Sequence, residues 1–118
     1  MDNVTKTCIF CRIARKDIPA ELVYENDDVI AFDDLNKVAP THVLIIPKKH
    51  IASCQDVESD DASLLGQLFI AARHVAEQKQ IEKTGYRLVV NAGSGAGQSV
   101  FHLHLHVIGG RGFSWPPG

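Results

Sequence analysis

A chain of 118 residues, with 45% hydrophobic and 22% charged residues, has the composition of one globular domain with a single core. We therefore treat residues 1–118 as one domain. The net charge of −2 argues against nucleic acid or a membrane surface as the partner, since both attract basic proteins. No stretch approaches the roughly 20 apolar residues of a membrane span, and the polar N-terminus does not resemble a signal sequence. We expect a cytoplasmic protein, with the nucleus left open as a second location.

Two cysteines near the N-terminus are predicted to share one face of a short helix. Thr7 is the predicted N-cap of a helix from Cys8 to Lys16, in which Cys8 and Cys11 are three residues apart. The pair has three interpretations: half of a zinc site, two small buried hydrophobic residues, or a thioredoxin-like redox pair. The third is weakened because no βαβ pattern surrounds the pair. Together with Cys54, the cysteines form an odd set that gives no disulfide framework.

The next segment predicts a β-hairpin. Residues 21–24 and 29–32 are strand-like and flank a polar turn, and Asp33 and Asp34 close the second strand. An ionised carboxylate accepts hydrogen bonds from two adjacent hydroxyls. Asp34 is therefore a candidate for binding a sugar diol, although a solvated turn residue is the ordinary interpretation of a carboxylate at this place.

A continuous apolar run at residues 43–46 predicts a central strand that is buried on both faces. The strand places His42 at its start and His50 just beyond its end. His50 is interpreted either as a solvated loop residue or as a metal ligand beside the two cysteines.

A long amphipathic helix is predicted from residue 62 to about residue 80, packed on the sheet. The acidic run at 56–61 precedes it, and Ser59 is the predicted cap. Apolar residues recur there at intervals of three and four: Leu64, Leu65, Leu68, Phe69, Ala72, Val75 and Ala76. We assign this helix to the core and give it no chemical role.

Residues 92–99 form a glycine-rich segment after a predicted strand at 86–91. Glycines allow the backbone to approach an anion closely and to turn N–H groups toward it. The segment lacks the Gly-Lys-Ser/Thr ending of a nucleotide P-loop and leads into a strand instead of a helix. A purely structural hairpin loop is the alternative, but the position just before three histidines favours a phosphate site.

His102, His104 and His106 alternate with branched aliphatic residues, which is a strand pattern. Alternate side chains leave opposite faces of a strand, so the three imidazoles share one face and Leu103 and Leu105 lie on the other. Imidazole is a nucleophile, a proton carrier or a metal ligand near neutral pH. Three imidazoles in register therefore indicate a chemical site more strongly than an edge strand that merely faces water.

The histidine pattern at 102–108 resembles the defining motif of the histidine triad (HIT) superfamily of nucleotide hydrolases and transferases. Further matches to its Hint branch, the histidine triad nucleotide-binding proteins, extend across essentially the whole chain. They are Asp34, the segment 39–51 (Ala-Pro-Thr-His-Val-Leu-Ile-Ile-Pro-Lys-Lys-His-Ile), Asn91, the segment 97–100 (Gly-Gln-Ser-Val) and the ending Trp-Pro-Pro-Gly at 115–118.

This resemblance implies an α+β fold with a five-stranded antiparallel sheet, one long helix and one short helix. It also implies a homodimer with a joint ten-stranded sheet. The implied activity is purine nucleoside phosphoramidate hydrolysis without a catalytic cofactor. His104 would be the nucleophile that forms a covalent nucleotidyl intermediate, and His106 and His42 would position the phosphate.

The resemblance assigns the remaining contacts to the nucleotide as well. Ser99 would lie near the leaving amine, Asn91 and the backbone around Gly97 and Gln98 would hold phosphate oxygens, and Asp34 would bind the ribose. The base pocket would be formed by Ile9, Phe10, Phe32 and Leu35, and Trp115 would reach the site of the dimer partner.

The Cys-x-x-Cys pair departs from the familiar animal members of the Hint branch. It is similar to the pair of other superfamily members, in which the matching residues hold a structural zinc. Carried over, the zinc ligands are Cys8, Cys11, His50 and His102, and His102 is then not free for catalysis.

Three other functions stay open. A metallohydrolase would use the three-histidine strand itself to bind a catalytic zinc, and a nucleotide-binding regulatory protein would show only incidental hydrolysis. Dinucleoside polyphosphate hydrolysis, as in the Fhit branch, is the nearest enzymatic alternative, and the Trp-Pro-Pro-Gly ending argues against it.

Overall fold

Five strands form one antiparallel sheet in the computed structural model, which describes residues 3–118. The strands are β1 (Leu22–Glu25), β2 (Val29–Asp33), β3 (Thr41–Pro47), β4 (Tyr86–Val89) and β5 (Leu105–Gly109). Their spatial order is β1-β2-β3-β5-β4, and every neighbouring pair is antiparallel. The predicted α+β architecture is therefore confirmed.

Strand β3 lies in the middle of the sheet, between β2 and β5, and all seven of its residues are buried. The apolar run 43–46 thus forms the predicted central strand. Because side chains alternate along a strand, Val43 and Ile45 belong to one apolar cluster and Leu44 and Ile46 to another, on the opposite face.

The long helix α3 (Ala62–Gln78) packs on the face that carries Val43 and Ile45. The predicted helix is confirmed, but Phe69 is 59% exposed, so its assignment to the core is wrong. Leu68 and Ala72 are four residues apart and point to the sheet. Phe69 follows Leu68 directly and is therefore turned about 100° around the helix axis, away from the sheet.

Ser59 is not the cap of this helix. A short 3-10 helix (Ser59–Asp61) precedes α3, and the capping box is formed by Glu58 and Asp61. The carboxylate of Asp61 accepts the N–H of Glu58 at 3.0 Å, a contact that the shorter serine side chain does not make here.

The N-terminal segment contains two helices, α1 (Asn3–Thr7) and α2 (Ile9–Ala14), instead of one helix from Cys8. Cys8 is the N-cap of α2, because its Sγ accepts the N–H of Cys11, and Thr7 ends α1. Lys16 has a φ of 66°, which places it outside the helix. Helix α2 covers part of the sheet face opposite α3, where Phe10 and Ile13 pack on Ile30 and Leu44.

Paired strand β5 begins only at Leu105, so His102 and His104 precede it and do not lie in the ladder. The alternation of faces is nevertheless as predicted, since Leu103, Leu105 and Val107 join the apolar cluster beneath α3. No helix among residues 3–118 is both long enough and apolar enough to span a bilayer.

Candidate active site and cysteine-histidine cluster

His104 is held in one tautomer by the main chain. Its Nδ1 lies 2.7 Å from the carbonyl oxygen of His102, and because a carbonyl only accepts, Nδ1 carries the proton. The other nitrogen, Nε2, therefore keeps its lone pair. His104 is only 8% exposed and lines a cleft, so this lone pair is available to a bound reactant. That arrangement suits a nucleophile.

A chain of hydrogen bonds fixes the other two site histidines. The N–H of Val38 donates to Nδ1 of His42 at 3.2 Å, so a neutral His42 carries its proton on Nε2. This Nε2–H donates to Nδ1 of His106 at 2.9 Å, and the neutral His106 consequently carries its own proton on Nε2. That Nε2 is buried and has no partner among the described residues. It is a donor held ready for an oxygen atom in the cleft.

Burial keeps these two histidines neutral. Burial, reinforced by the neighbouring His104 and His42, lowers the pKa of His106 to about 4. The pKa of His42 is also lowered, mainly by burial, although the carboxylate of Asp34 acts in the opposite direction. The carboxylate of Asp34, whose Oδ2 lies 3.3 Å from Nε2 of His42, is therefore next to a neutral imidazole and does not form an ion pair with it.

The cleft beside these histidines has a volume of about 380 Å³, within the range of small-molecule sites. Among the predicted contacts, Ile9, Phe10, Phe32, Asp34, Leu35 and Ser99 line it together with His104 and His106. Other lining residues were not predicted, among them Ile13, Ile18, Ala20, Glu21, Leu44 and Val100. The sequence could have indicated Leu44 as a lining residue, because it lies two residues after His42 on one strand and so shares its face.

The predicted phosphate-binding backbone is engaged within its own loop. The N–H groups of Gly97 and Gln98 donate to the carbonyls of Ser94 and Gly93 at 3.0 and 3.1 Å. The buried side chain of Gln98 accepts the N–H of Gly93 and donates to the carbonyls of Ala52 and Val100. Gln98 therefore shapes the loop, and its neighbour Ser99 is the loop residue that reaches the cleft.

Two more of the predicted nucleotide contacts, Asn91 and Trp115, do not line the cleft of this chain. Asn91 follows β4, whose Val89 pairs with His106, and so lies at the histidine end of the sheet. Trp115 is 82% exposed. The tail before it is anchored where Arg87 and Arg111 place their guanidinium groups over the ring of Phe113.

The four predicted metal ligands converge behind the cleft. One donor atom from each of Cys8, Cys11, His50 and His102 lies within 4.8 Å of all the others. Nδ1 of His102 is 3.4 Å from Sγ of Cys8 and 3.5 Å from Sγ of Cys11, and Nδ1 of His50 is 3.2 Å from the latter. Zn–S bonds of about 2.3 Å and Zn–N bonds of about 2.0 Å place tetrahedral ligands at similar separations.

The protonation of His102 also fits metal binding. Its Nε2–H donates to the carbonyl of Pro47 at 2.8 Å, which leaves the lone pair of Nδ1 directed at the sulfur atoms. Burial lowers the pKa of His102 to about 4, so the ring is neutral as a ligand must be. Such an outer hydrogen bond is the usual partner of a metal-bound histidine. His102 thus faces the cysteines, and the three histidines of the motif do not converge on one point.

The five-stranded antiparallel sheet presents tautomer-fixed histidines to an apolar cleft, an arrangement in which imidazole groups can act on a small bound molecule. The family is identified by comparison with known proteins. The HIT domain model matches residues 15–113, and the chain belongs to this family.

Relatives and solved structures agree with this assignment. An uncharacterized HIT-like protein of Synechocystis sp. is 51% identical over 110 residues, which cover 93% of this chain and 96% of that protein. The HIT family hydrolase of Legionella pneumophila is also 51% identical, with a TM-score of 0.93, covering 95% of this chain and all of that one. A histidine triad nucleotide-binding protein of Candida albicans is 30% identical with a TM-score of 0.80, covering 93% and 83%. These similarities support a hydrolase.

Proposed function

We propose that this protein hydrolyses the phosphorus–nitrogen bond of purine nucleoside phosphoramidates, as the Hint branch does. The observation that carries the proposal is the pair of fixed tautomers in the cleft. His104 offers a lone pair on Nε2, and His106 offers an unpartnered Nε2–H. One nitrogen attacks while the other donates to a phosphate oxygen, which are the two requirements of phosphoryl transfer through a covalent intermediate.

In the first step, Nε2 of His104 attacks the α-phosphorus of an adenylate or guanylate joined to an amine. The P–N bond to the leaving amine breaks, the amine departs with a proton taken from solvent, and a new P–N bond joins the nucleotide to His104. In the second step, water attacks this phosphorus and loses a proton to solvent, the bond between phosphorus and Nε2 of His104 breaks, and AMP or GMP is released. The Nε2–H of His106 stabilises the phosphate oxygens in both steps, and Ser99 lies on the side of the leaving amine.

The cleft supports a purine nucleoside as the carrier of the reacting group. Its wall is largely apolar, with Phe10 placed edge-on to Phe32 at 5.5 Å, and a flat base fits against such a surface. Asp34 lies at the same cleft with its carboxylate beside His42, where it accepts hydrogen bonds from ribose hydroxyls.

Two further elements belong to this proposal. The tail of each subunit of a homodimer serves the site of its partner, which is supported by the exposure of Trp115 and by its absence from the lining of its own cleft. A structural zinc is held by Cys8, Cys11, His50 and His102, supported by their convergence. Thiolate ligands also favour a reducing compartment, in keeping with the cytoplasm.

The test is release of AMP from adenosine 5′-phosphoramidate by the wild-type protein, by His104→Ala and by the matched control His74→Ala. His74 is an exposed histidine on α3, stacked on Tyr24 and far from the cleft lining. We expect turnover by wild type and His74→Ala, none by His104→Ala, and a nucleotidyl adduct on His104 in rapidly quenched samples. Preferred cleavage of a diadenosine polyphosphate would favour the Fhit-like alternative. Binding of AMP without any turnover would favour a regulatory nucleotide-binding protein.

A further inference from the structure

One residue, His102, belongs to both the cysteine-histidine cluster and the machinery of the active site. Its side chain faces Cys8 and Cys11, and its carbonyl oxygen accepts the Nδ1–H of His104 at 2.7 Å. We propose that metal occupancy of the cluster positions the nucleophile, so that the cluster controls the rate of the reaction without touching the substrate. This inference rests on the proposed function and adds a means of regulation to it.

The first connection runs through the main chain of His102. The position of its carbonyl decides whether His104 keeps its proton on Nδ1 and its lone pair on Nε2. The ring of His102 is held by Pro47 on one side and, with a metal bound, by a coordinate bond on the other. Loss of that bond leaves the hydrogen bond to Pro47 in place, but on the opposite side the ring then has only the 3.4 and 3.5 Å contacts to sulfur, which restrain it more weakly than a coordinate bond.

The second connection runs through helix α2. Cys8 caps the helix and Cys11 lies within it, so two of the four ligands belong to this element. A helix of six residues is not stable alone and depends on its cap and its packing. Phe10, next to Cys11 in the chain, places its ring edge-on to His102 at 5.9 Å and to His104 at 5.1 Å. Movement of α2 therefore displaces a ring that contacts the nucleophile.

The cluster has no direct route to the substrate. None of Cys8, Cys11, His50 and His102 lines the cleft. A change in turnover on metal loss must therefore act through the position of His104 or through the α2 wall of the cleft. Misplacement by about 1 Å costs on the order of 100-fold in rate, and loss of support around a ligand typically costs about 10- to 100-fold.

The test compares Cys8→Ser with Cys54→Ser, the same substitution at an exposed cysteine outside the cluster. Serine can still cap α2 but is a poor zinc ligand. Zinc content, kcat and KM for adenosine 5′-phosphoramidate, AMP affinity and the ¹⁵N shifts of the His104 ring are measured on each full-length protein. We expect Cys8→Ser to lose zinc and about tenfold or more in kcat, with a mixture of His104 tautomers. Cys54→Ser should match the wild type in every measurement.

Chelation of the wild-type protein, followed by addition of zinc, repeats the test without a mutation and controls for loss of folding. The tautomer mixture should appear on chelation and disappear on reloading, while the circular dichroism spectrum stays that of a folded protein. Unchanged His104 shifts and unchanged kcat in the metal-free protein would overturn the coupling. If the loaded wild type has no turnover, the proposed function fails, whereas the ¹⁵N shifts and the AMP affinity still test the coupling.

Discussion

The two faces of the sheet are built from the same strands but have different tasks. Toward α3, the strands present an apolar surface in which Val43, Ile45, Leu105 and Val107 are at most 2% exposed. Toward α2, the alternate positions carry His42 and His106 beside apolar residues, and the surface is open to a cleft. Alternation along a β-strand thus separates the residues that stabilise the fold from those that form the site. Substitutions at two neighbouring positions should therefore have different effects, one on stability and the other on activity.

The largest contrast is expected between His104→Ala and Leu105→Ala. His104→Ala should lower kcat by more than about 1,000-fold, because the covalent route is lost, with little change in the free energy of unfolding. Leu105→Ala should cost about 2–5 kcal/mol in stability because it opens a cavity beneath α3, while kcat per folded molecule stays near the wild-type value. Urea denaturation and single-turnover assays of both variants measure the two effects. Equal losses of stability and activity in both variants would contradict the separation of the faces.

The second prediction concerns Gln98, which joins the glycine-rich loop to the rest of the site. Gln98→Leu removes three hydrogen bonds from a buried position and leaves the carbonyl of Ala52 and the N–H of Gly93 without their partner. Because Ser99 then loses its fixed position, kcat should fall by about 10- to 100-fold. Steady-state kinetics with hydrogen exchange of the loop amides checks this. Gln67→Leu, on the partly buried side of α3, is the matched control and should leave kcat unchanged.

How far the sequence could anticipate each face depends on how local the signals are. A continuous apolar run predicted the central strand, helical periodicity predicted α3, and alternation predicted the separation of Leu105 from His104. Each of these signals depends on neighbours a few residues away. The exposure of Phe69 follows from which side of α3 meets the sheet, and hydrophobicity alone does not encode that side. The sequence also did not predict Cys8 as the N-cap of α2, because cysteine is not among the usual N-cap residues.

The candidate site was predictable in its residue types but not in its hydrogen bonds. The motif and its resemblance indicated His42, His104 and His106 together. The tautomers depend on the N–H of Val38 and the carbonyl of His102, which are main-chain groups that any residue supplies. The glycine-rich segment predicted that the N–H groups of Gly97 and Gln98 face a phosphate. In the structure these N–H groups donate to carbonyls of their own loop, and the residue types do not reveal such main-chain bonds.

The third prediction is a binding effect at the edge of the cleft. Asp34→Asn keeps the shape of the side chain but removes the charge that accepts two ribose hydroxyls, so the Kd for AMP should rise about tenfold. The kcat should change less than the Kd, since the proposed function assigns Asp34 to the nucleoside and not to the reacting phosphorus. Isothermal titration with AMP and with 2′-deoxy-AMP measures this. A wild-type protein that binds both ligands equally would show that Asp34 does not hold the diol.

The smallest expected effect is a pH dependence that belongs to the histidine face alone. The pKa of His106 is about 4 in the folded protein and near 6.5 in the unfolded chain, where burial is lost. Above pH 6.5 both states are neutral, so the pKa difference has no effect on stability. As the pH falls from 6.5 toward 4, the unfolded chain binds a proton that the folded protein does not, and the folded state loses stability.

In urea denaturation between pH 7.5 and 4, His106→Asn should therefore lose less stability than the wild type. The control His74→Asn, on the exposed side of α3, should follow the wild-type curve. Parallel curves for wild type and His106→Asn would show that His106 titrates alike in the folded and unfolded states, so that burial does not keep its ring neutral.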